Sequence, residues 1–247
     1  LQGSGIDLYK EMLPDTPSIT EFLSTQLKPG EAVGIDGKMF SVEQVEYMQA
    51  ELSSSNLQII FCPDPMQEIW TNRPPMPESP AFVYDIEYAG KSCTEKIASI
   101  RTELKKKGAE SVMLSALDEI AWTLNLRGND VHCNPVVISY LLITEDSTIL
   151  FIAPEKVTEE VRNYLKEQQV EIRNYAETEI YLSDLKSTSI LMNPAKTNYA
   201  IFSSVNPKCR IIRGEAPVAL LKAVRNNQEI AGVHAAMQLS LIHISEP

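Results

Sequence analysis

The stretch that decides the fold spans residues 111–152 and reads SVMLSALDEIAWTLNLRGNDVHCNPVVISYLLITEDSTILFI. Apolar runs at residues 111–114, 136–144 and 148–152 predict three strands, and the spacing of apolar side chains over residues 116–124 predicts a helix. A short polar spacer separates the last two runs, which is typical of an antiparallel hairpin. We therefore expect an α/β fold built on a mixed sheet.

The same alternation of helices and strands continues on both sides of this stretch. In front of it, residues 94–107 have helical periodicity and end at Gly108, a residue type that commonly follows a helix C-terminus. Behind it, the patterns predict helices at residues 158–168, 179–185 and 226–238 and strands at residues 170–173 and 190–192. This order favours a mixed sheet flanked by helices.

The front of the chain has the pattern of a βαβ unit. A helix over residues 18–27, with Ser18 as its N-cap, precedes a strand at 32–36, a helix at 41–52 and a strand at 57–62. This order predicts two parallel strands joined by a right-handed crossover. Two strands and their helices cannot cover both faces of a parallel sheet, so we expect the first domain to be incomplete.

A proline-rich stretch follows this unit. Residues 71–80 contain Pro74, Pro75, Pro77 and Pro80. Each proline fixes φ and lacks a backbone donor, so the stretch can be neither a helix interior nor a central strand. We interpret it as the linker between two domains.

Composition and charge exclude several classes of protein. With 247 residues, 44% of them hydrophobic and 22% charged, the chain is long enough for one large or two smaller domains. A formal net charge of -11 without a block of Lys and Arg argues against nucleic acid as a partner. No apolar run approaches the ~20 residues that span a bilayer. Residues 1–10 lack the pattern of a secretory signal, so we expect a soluble, cytoplasmic protein without a membrane partner.

Histidine and cysteine do not cluster as metal ligands do. Cys62, Cys93, Cys133 and Cys209 are widely spaced, which indicates free thiols rather than a disulfide framework or a zinc ribbon. Cys133 is adjacent to His132, but neighbouring residues seldom ligate one ion. We expect this chain to bind no metal or other cofactor itself.

Two polar groups near the deciding helix have structural interpretations. Ser115 and Asp118 have the spacing of a capping box, which predicts a structural role for Asp118 and its neighbour Glu119. Adjacent helical residues do not face each other, so these carboxylates are poorly placed as an acid/base pair.

A dense polar turn, NLRGND, follows that helix at residues 125–130. In the structural interpretation it is ordinary loop geometry, with Gly128 able to take a positive φ and Asp130 able to form an Asx turn. In the functional interpretation a loop that carries both Arg and Asp at a sheet end lines a cleft. We favour the structural interpretation, because such turns are common in α/β folds.

Residues 116–140, ALDEIAWTLNLRGNDVHCNPVVISY, resemble a signature of the three-domain Xaa-Pro aminopeptidases, the aminopeptidase P family. Residues 69–74, IWTNRP, resemble the end of that family's first domain, and residues 222–232, KAVRNNQEIAG, resemble the entry to its catalytic domain. The departures are minor: Asn129 stands where Ser is usual, and residues 137–138 are Val and Ile where Phe is frequent.

The resemblance implies a chain truncated at both ends. It places an incomplete creatinase-N-terminal-like domain at residues 1–73, a second such α/β domain at residues 74–224, and the start of a catalytic domain at residues 225–238. Residues 239–247, LSLIHISEP, do not resemble the family and are similar to the translation of a sequencing-library adapter. We interpret them as an assembly artefact, and the alternative is an ordinary divergent tail.

By the same resemblance, the intact protein is a homodimeric metallopeptidase that releases the first residue from short peptides whose second residue is proline. The family holds two divalent ions, commonly manganese, on Asp, Asp, His, Glu and Glu side chains of a C-terminal domain. None of those ligands can be matched in this sequence. We therefore expect this chain to be an inactive, non-catalytic portion of such an enzyme.

Four residues are expected to contact substrate or the catalytic domain: Asn125, Arg127, Asp130 and Asn134. The rival hypothesis is a stand-alone, non-enzymatic α/β interaction module that binds a partner through the same loop. A small-molecule site at a switch point of the sheet is a third hypothesis, and no glycine-rich turn supports it.

Overall fold

The proline-rich stretch at residues 71–80 forms neither helix nor strand, as expected where φ is fixed and backbone donors are missing. The structure, a computed structural model, describes residues 3–5, 7–10 and 13–245. The chain divides into two units. The units comprise Leu1–Arg73 with Asn198–Ala200, and Pro74–Thr197 with Ile201–Pro247.

The first unit contains the predicted βαβ order. Helix α1 (Ile19–Gln26), strand β1 (Ala32–Ile35), helix α2 (Val42–Ser53) and strand β2 (Gln58–Phe61) follow one another, and the two strands are parallel. Within the described residues these strands pair only with each other.

The second unit contains the remaining strands and helices. Its strands are β3 (Phe82–Val83), β4 (Ser111–Leu114), β5 (Leu126–Arg127), β6 (Ser139–Ile143), β7 (Thr148–Ile152), β8 (Glu171–Asn174), β9 (Ser189–Met192) and β10 (Arg210–Arg213). Its helices are α3 (Ile86–Ala89), α4 (Cys93–Lys106), α5 (Leu117–Leu124), α6 (Glu159–Glu167), α7 (Thr178–Ser183), α9 (Val218–Ala223) and α10 (Asn227–Ser245). The short helix α8 (Tyr199–Ser203) begins among residues that belong to the first unit.

Six of these strands form one mixed sheet in the order β10-β9-β4-β6-β7-β8. Strands β4, β6 and β7 are joined antiparallel, and the outer pairings are parallel. The predicted α/β class, the mixed sheet flanked by helices and the β6–β7 hairpin are all confirmed. Strands β3 and β5 form a separate antiparallel pair.

Helices bury both faces of the six-stranded sheet, which explains why its central strands are continuous apolar runs. Alternate residues of β4 show the division. Val112 and Leu114 pack on one face with Ile97 and Ile100 of α4, whereas Met113 packs on the opposite face. All residues of β4, β6 and β7 are buried.

Hydroxyl side chains begin several of the helices. Ser18, Ser41 and Ser92 each accept a hydrogen bond from the backbone N–H three residues on, and the Glu or Gln at that position bonds back to the cap. The prediction of Ser18 as an N-cap is confirmed. The helix predicted to end at Gly108 does so, with Gly108 at φ +66°.

The capping box predicted for Ser115 and Asp118 was wrong. The N-cap of α5 is Ala116, whose side chain accepts no hydrogen bond, and the Ser115 hydroxyl instead lies 3.4 Å from that of Thr197. The helix starts one residue later than expected, so Asp118 is its second residue rather than its third. The reciprocal geometry of the motif is therefore lost.

The strand predicted at residues 136–144 begins only at Ser139. The residues before Ser139 form hydrogen bonds with the polar turn at residues 125–130 instead of with β4. Asp130 N–H donates to the Val136 carbonyl at 3.3 Å, and the Asp130 carboxylate accepts from Ile138 N–H at 2.6 Å. Sequence periodicity did not predict this local competition for backbone donors.

The last helix continues into the segment interpreted as an artefact. The backbone of α10 is helical to Ser245, and residues 246 and 247 of that segment lie outside the described residues. Among the described helices, none is long and apolar enough to cross a membrane.

Gly128 is required by space and not by a positive φ, contrary to the conformation considered above. Its φ lies outside the positive range, and a Cβ there would overlap the buried Val137 side chain and lie 3.4 Å from the Val136 carbonyl oxygen.

Replacing Gly128 with alanine should therefore lower the free energy of unfolding by about 1–3 kcal/mol, measured by urea denaturation. Gly232 in α10 is a matched control, because a Cβ there meets nothing within 4 Å. Equal effects of G128A and G232A would contradict the steric argument.

Candidate functional site

A cleft of about 620 Å³ lies in the second unit, beside the polar turn. Helix α5, strand β5 and the loop before β6 contribute to its lining, together with α3, Lys96 of α4 and the first turns of α10. Three of the four predicted site residues, Asn125, Arg127 and Asn134, belong to that lining, and Asp130 does not. Aromatic side chains of Tyr84, Tyr88 and Trp122 form part of the walls.

Asn125 ends α5 in the left-handed conformation, at φ 51° and ψ 39°. Asn tolerates this conformation better than most residues. Its side chain is 2% exposed and uses both ends of the amide. The Oδ1 atom accepts from Lys96 Nζ at 2.6 Å, and Nδ2 donates to the Lys91 carbonyl at 2.9 Å. Asn125 therefore holds the turn in place from within the protein.

Lys96 is a buried cation that the sequence analysis missed. It is 2% exposed, and its ammonium group also donates to the Trp122 carbonyl at 2.8 Å and lies 4.4 Å from the centroid of the Trp122 ring. The pKa of Lys96 is lowered to about 8, mainly by burial; among the neighbouring charges, Glu229 raises this pKa and Arg127 lowers it.

Helical spacing contained a signal for Lys96. It lies three residues after Cys93, just before Ile97 and four residues before Ile100, all on the buried face of α4. A lysine on the apolar face of an amphipathic helix is a candidate for a buried, paired charge.

The Arg127 guanidinium is held in a fixed orientation beside the cleft. Its Nη1 donates to the carbonyl oxygens of Ala121 and Leu126 at 2.7 and 2.8 Å. Its Cζ lies 4.4 Å from the centroid of the Tyr84 ring, in cation–π geometry. Burial lowers the pKa of Arg127, but an arginine stays charged at neutral pH.

Asp130 has a different environment. Its carboxylate is fully buried and pairs with Lys156, whose side chain is 1% exposed. The same oxygen accepts from Ile138 N–H, whereas the other oxygen, Oδ1, is buried and has no hydrogen-bond partner among the described residues. The Lys156 backbone carbonyl accepts from Ala81 N–H at 2.9 Å, next to β3. Asp130 thus connects the polar turn to the segment that follows β7.

The exposed part of the loop contains Asn134 and the adjacent pair His132 and Cys133. Asn134 N–H donates to the Val131 carbonyl at 3.1 Å, which closes a tight turn, and Cys133 has φ 59°. Asn134 is the candidate residue whose side chain is most open to solvent.

Asp118 and Glu119 each pair with a lysine far away in sequence. Asp118 contacts Lys222, and the 5% exposed Glu119 side chain lies 2.6 Å from Lys196 Nζ. The hydrogen bond to Glu119 raises the pKa of Lys196. Both carboxylates also lie in the first turn of α5, where the helix dipole favours negative charge. These contacts are structural and do not bring the two carboxylates together as a catalytic pair.

Helix α10 is attached to the cleft wall by Glu229, which the sequence analysis also missed as a contact residue. Its Oε1 accepts from Trp122 Nε1 at 2.9 Å, and its Oε2 accepts from Asn226 N–H at 2.9 Å. Asn226 in turn donates from its side chain to the Ala89 carbonyl at 2.8 Å.

Among the described residues, no group of three His, Cys, Asp or Glu side chains is placed to hold a metal ion.

Both the sequence and the fold of this chain are similar to those of known proteins. Residues 72–229 match the Creatinase/Prolidase N-terminal domain, which is more than half of the chain. The chain therefore belongs to the creatinase/prolidase N-terminal domain family.

Two curated relatives are aminopeptidases. The probable Xaa-Pro aminopeptidase P of Sordaria macrospora is 34% identical over 240 residues, which covers 92% of this chain and 39% of that protein. The Xaa-Pro aminopeptidase ApepP of Drosophila melanogaster is 35% identical over 232 residues, covering 91% of this chain and 38% of that protein. The resemblance to aminopeptidase P is confirmed, and the chain spans less than half the length of these relatives.

A solved structure matches nearly the same extent of the chain. It is the X-prolyl aminopeptidase of Caenorhabditis elegans, described as a cytosolic enzyme with a di-nuclear active site. The match has a TM-score of 0.84 and 28% sequence identity, and it covers 92% of this chain and 38% of the other.

Proposed function

We propose that this chain is the non-catalytic front portion of an Xaa-Pro aminopeptidase that removes the N-terminal residue preceding proline. The observation that carries the proposal is the structural match to the C. elegans enzyme over 92% of this chain. It extends beyond residues 72–229, which match the domain family. The sequence identities to two further aminopeptidases point to the same activity.

In this proposal, two divalent metal ions belong to a part of the parent protein outside this sequence, with manganese as the expected metal. Short peptides with proline in second position are the substrates, and the parent is a cytoplasmic homodimer. The relative described as cytosolic and di-nuclear supports the location and the number of ions.

The test compares peptidase activity of this chain and of the full-length parent on an Xaa-Pro peptide with added manganese. We expect activity in the parent alone. Activity in the 247-residue chain would show that a catalytic site has been overlooked. Inactivity of both proteins would reject the proposal in favour of the non-enzymatic interaction module.

We further propose that the polar turn shapes the substrate cleft of the parent, with Asn125, Arg127, Asp130 and Asn134 as the residues involved. Their surroundings support two different roles for these residues. Arg127 and Asn134 present groups to the cleft, whereas Asn125 and Asp130 position the backbone that carries them.

Replacing Arg127 with alanine in the full-length parent should lower kcat/KM for Xaa-Pro peptides at least about tenfold, because one charged hydrogen-bonding contact is worth about 1.5–3 kcal/mol. Lys106→Ala is the matched control, since Lys106 is an exposed cation at the end of α4 that pairs with nearby Glu103. An unchanged kcat/KM for the Arg127 variant would reject its assignment to the cleft.

A further inference from the structure

The charged side chains that line the cleft are four cations, Lys96, Arg127, Lys222 and Arg225, and three carboxylates, Glu87, Asp118 and Glu229. Lys96 is buried and Arg127 is half-buried. Burial is the main cause of the lowered Lys96 pKa; the Glu229 charge raises this pKa, and the Arg127 charge lowers it. Glu87 and Glu229 are carboxylates of the same lining. The two Glu229 oxygens accept from Trp122 Nε1 and Asn226 N–H, and the Glu229 charge raises the pKa of both Lys96 and Arg127. Asp118, which also lines the cleft, pairs with Lys222. A bound anion would add to the counter-charge that Glu229 gives the two cations.

Arg127 has hydrogen-bond donors left for such an anion. Both of its hydrogen bonds to the described residues are made by Nη1, and Nε and Nη2 have no acceptor there. Stacking on Tyr84 and the two carbonyl contacts already fix the guanidinium plane. A preorganised guanidinium loses little entropy on binding and matches the planar geometry of a carboxylate.

The other walls are suited to a small organic ligand rather than a bare ion. Tyr84, Tyr88 and Trp122 provide aromatic surface, and a volume of about 620 Å³ is in the usual range for ligand pockets. Lys96 is 2% exposed and its ammonium group already donates to the Trp122 carbonyl and to Asn125 Oδ1, so we assign it no direct contact with the ligand.

We propose that this cleft binds the carboxylate of a short peptide, with Arg127 as its anchor. The carboxylate site rests on the geometry of the cleft alone. Its assignment to the C-terminus of a peptide rests on the proposed function.

Binding is measured on this chain without catalysis. Trp70→Phe leaves Trp122 as the single tryptophan, so its fluorescence reports on the cleft. The probes are the tripeptide Ala-Pro-Ala and its C-terminal amide, titrated to about 10 mM. We expect saturable binding of the free acid and a dissociation constant at least about tenfold higher for the amide, because the amide has no charge to pair with the guanidinium.

Two variants in the Trp70→Phe background separate the site from general electrostatics. Arg127→Gln should weaken binding of Ala-Pro-Ala at least about tenfold, whereas Lys222→Gln, which removes the same charge from the same cleft, should change it less than about twofold. Equal affinities for acid and amide, or no saturable binding of either, would overturn the proposal even if Arg127→Gln failed to fold.

N-acetylalanine distinguishes the source of the carboxylate. If it binds as tightly as Ala-Pro-Ala, the assignment to a peptide is overturned while the carboxylate site stands. Weaker binding of N-acetylalanine supports the peptide. Neither result depends on whether the parent enzyme cleaves Xaa-Pro bonds, so failure here is distinguishable from failure of the proposed function.

Discussion

Replacing Asp130 with asparagine should lower the free energy of unfolding by about 3–5 kcal/mol, because it leaves the Lys156 ammonium buried without a counter-charge. The side chains of both partners are almost completely inaccessible, at 0% for Asp130 and 1% for Lys156. Asparagine keeps an oxygen that accepts from Ile138 N–H, so the variant isolates the loss of charge. Urea or thermal denaturation measures the effect.

The exposed ion pair of Glu103 and Lys106 provides the matched control. Its side chains are 37% and 66% exposed, and the corresponding neutral variant, Glu103→Gln, should change stability by less than about 1 kcal/mol. The double variant D130N/K156M removes both charges and should recover much of the loss, because burying two neutral groups avoids the desolvation cost. Similar effects of D130N and E103Q would show that the buried pair is not a major source of stability.

Replacing Asn125 with alanine should lower the free energy of unfolding by about 2–5 kcal/mol, from two separate causes. Alanine is strained at φ 51°, where Asn is tolerated. The substitution also removes the acceptor for Lys96 and the donor to the Lys91 carbonyl, both in a site that water hardly reaches.

Asn125→Gly separates these causes, because glycine adopts the left-handed conformation without strain. We expect the glycine variant to lose about 1–3 kcal/mol, the share that belongs to the side-chain hydrogen bonds. The difference between the alanine and glycine variants then measures the backbone strain. If the Asn125→Gly variant were as stable as the unchanged protein, the amide hydrogen bonds would contribute nothing to stability. Other contacts would then have to stabilise the buried Lys96.

Several elements were predictable because their physical cause is local. Strands β4 and β7 match the bounds predicted at residues 111–114 and 148–152, since burial on both faces makes each a continuous apolar run. Thr158 begins α6 as an N-cap, accepting from the Val161 N–H. Cap chemistry of this kind involves residues only three apart.

Other elements depend on partners far along the chain. Strands β3 and β5 have two residues each and exist because Phe82 pairs with Arg127 and Val83 with Leu126. Strand β10 begins and ends with arginine, so its pattern does not differ from that of a polar loop until β9 pairs with it. Propensity in a short window contains no information about either pairing.

The candidate site likewise has some features that the sequence indicates and others that depend on residues far apart in the chain. The sequence pointed to the polar turn at residues 125–130 and to its Arg127, because dense polar residues after an apolar helix are visible without a structure. It did not show that Lys96 and Glu229 approach the same cleft, or that Asp130 pairs with Lys156 away from it. These contacts join residues separated by 26 positions or more.

By itself, the sequence determined the α/β class, the βαβ order of the first unit, the mixed sheet of the second and the family to which the chain belongs. These follow from periodicity, caps and motif residues that are close together in the chain. Only the tertiary structure decided which charges are buried, which carboxylate meets which lysine and which side chains line the cleft. Burial and electrostatic pairing depend on distance in space, and local sequence patterns do not encode that distance.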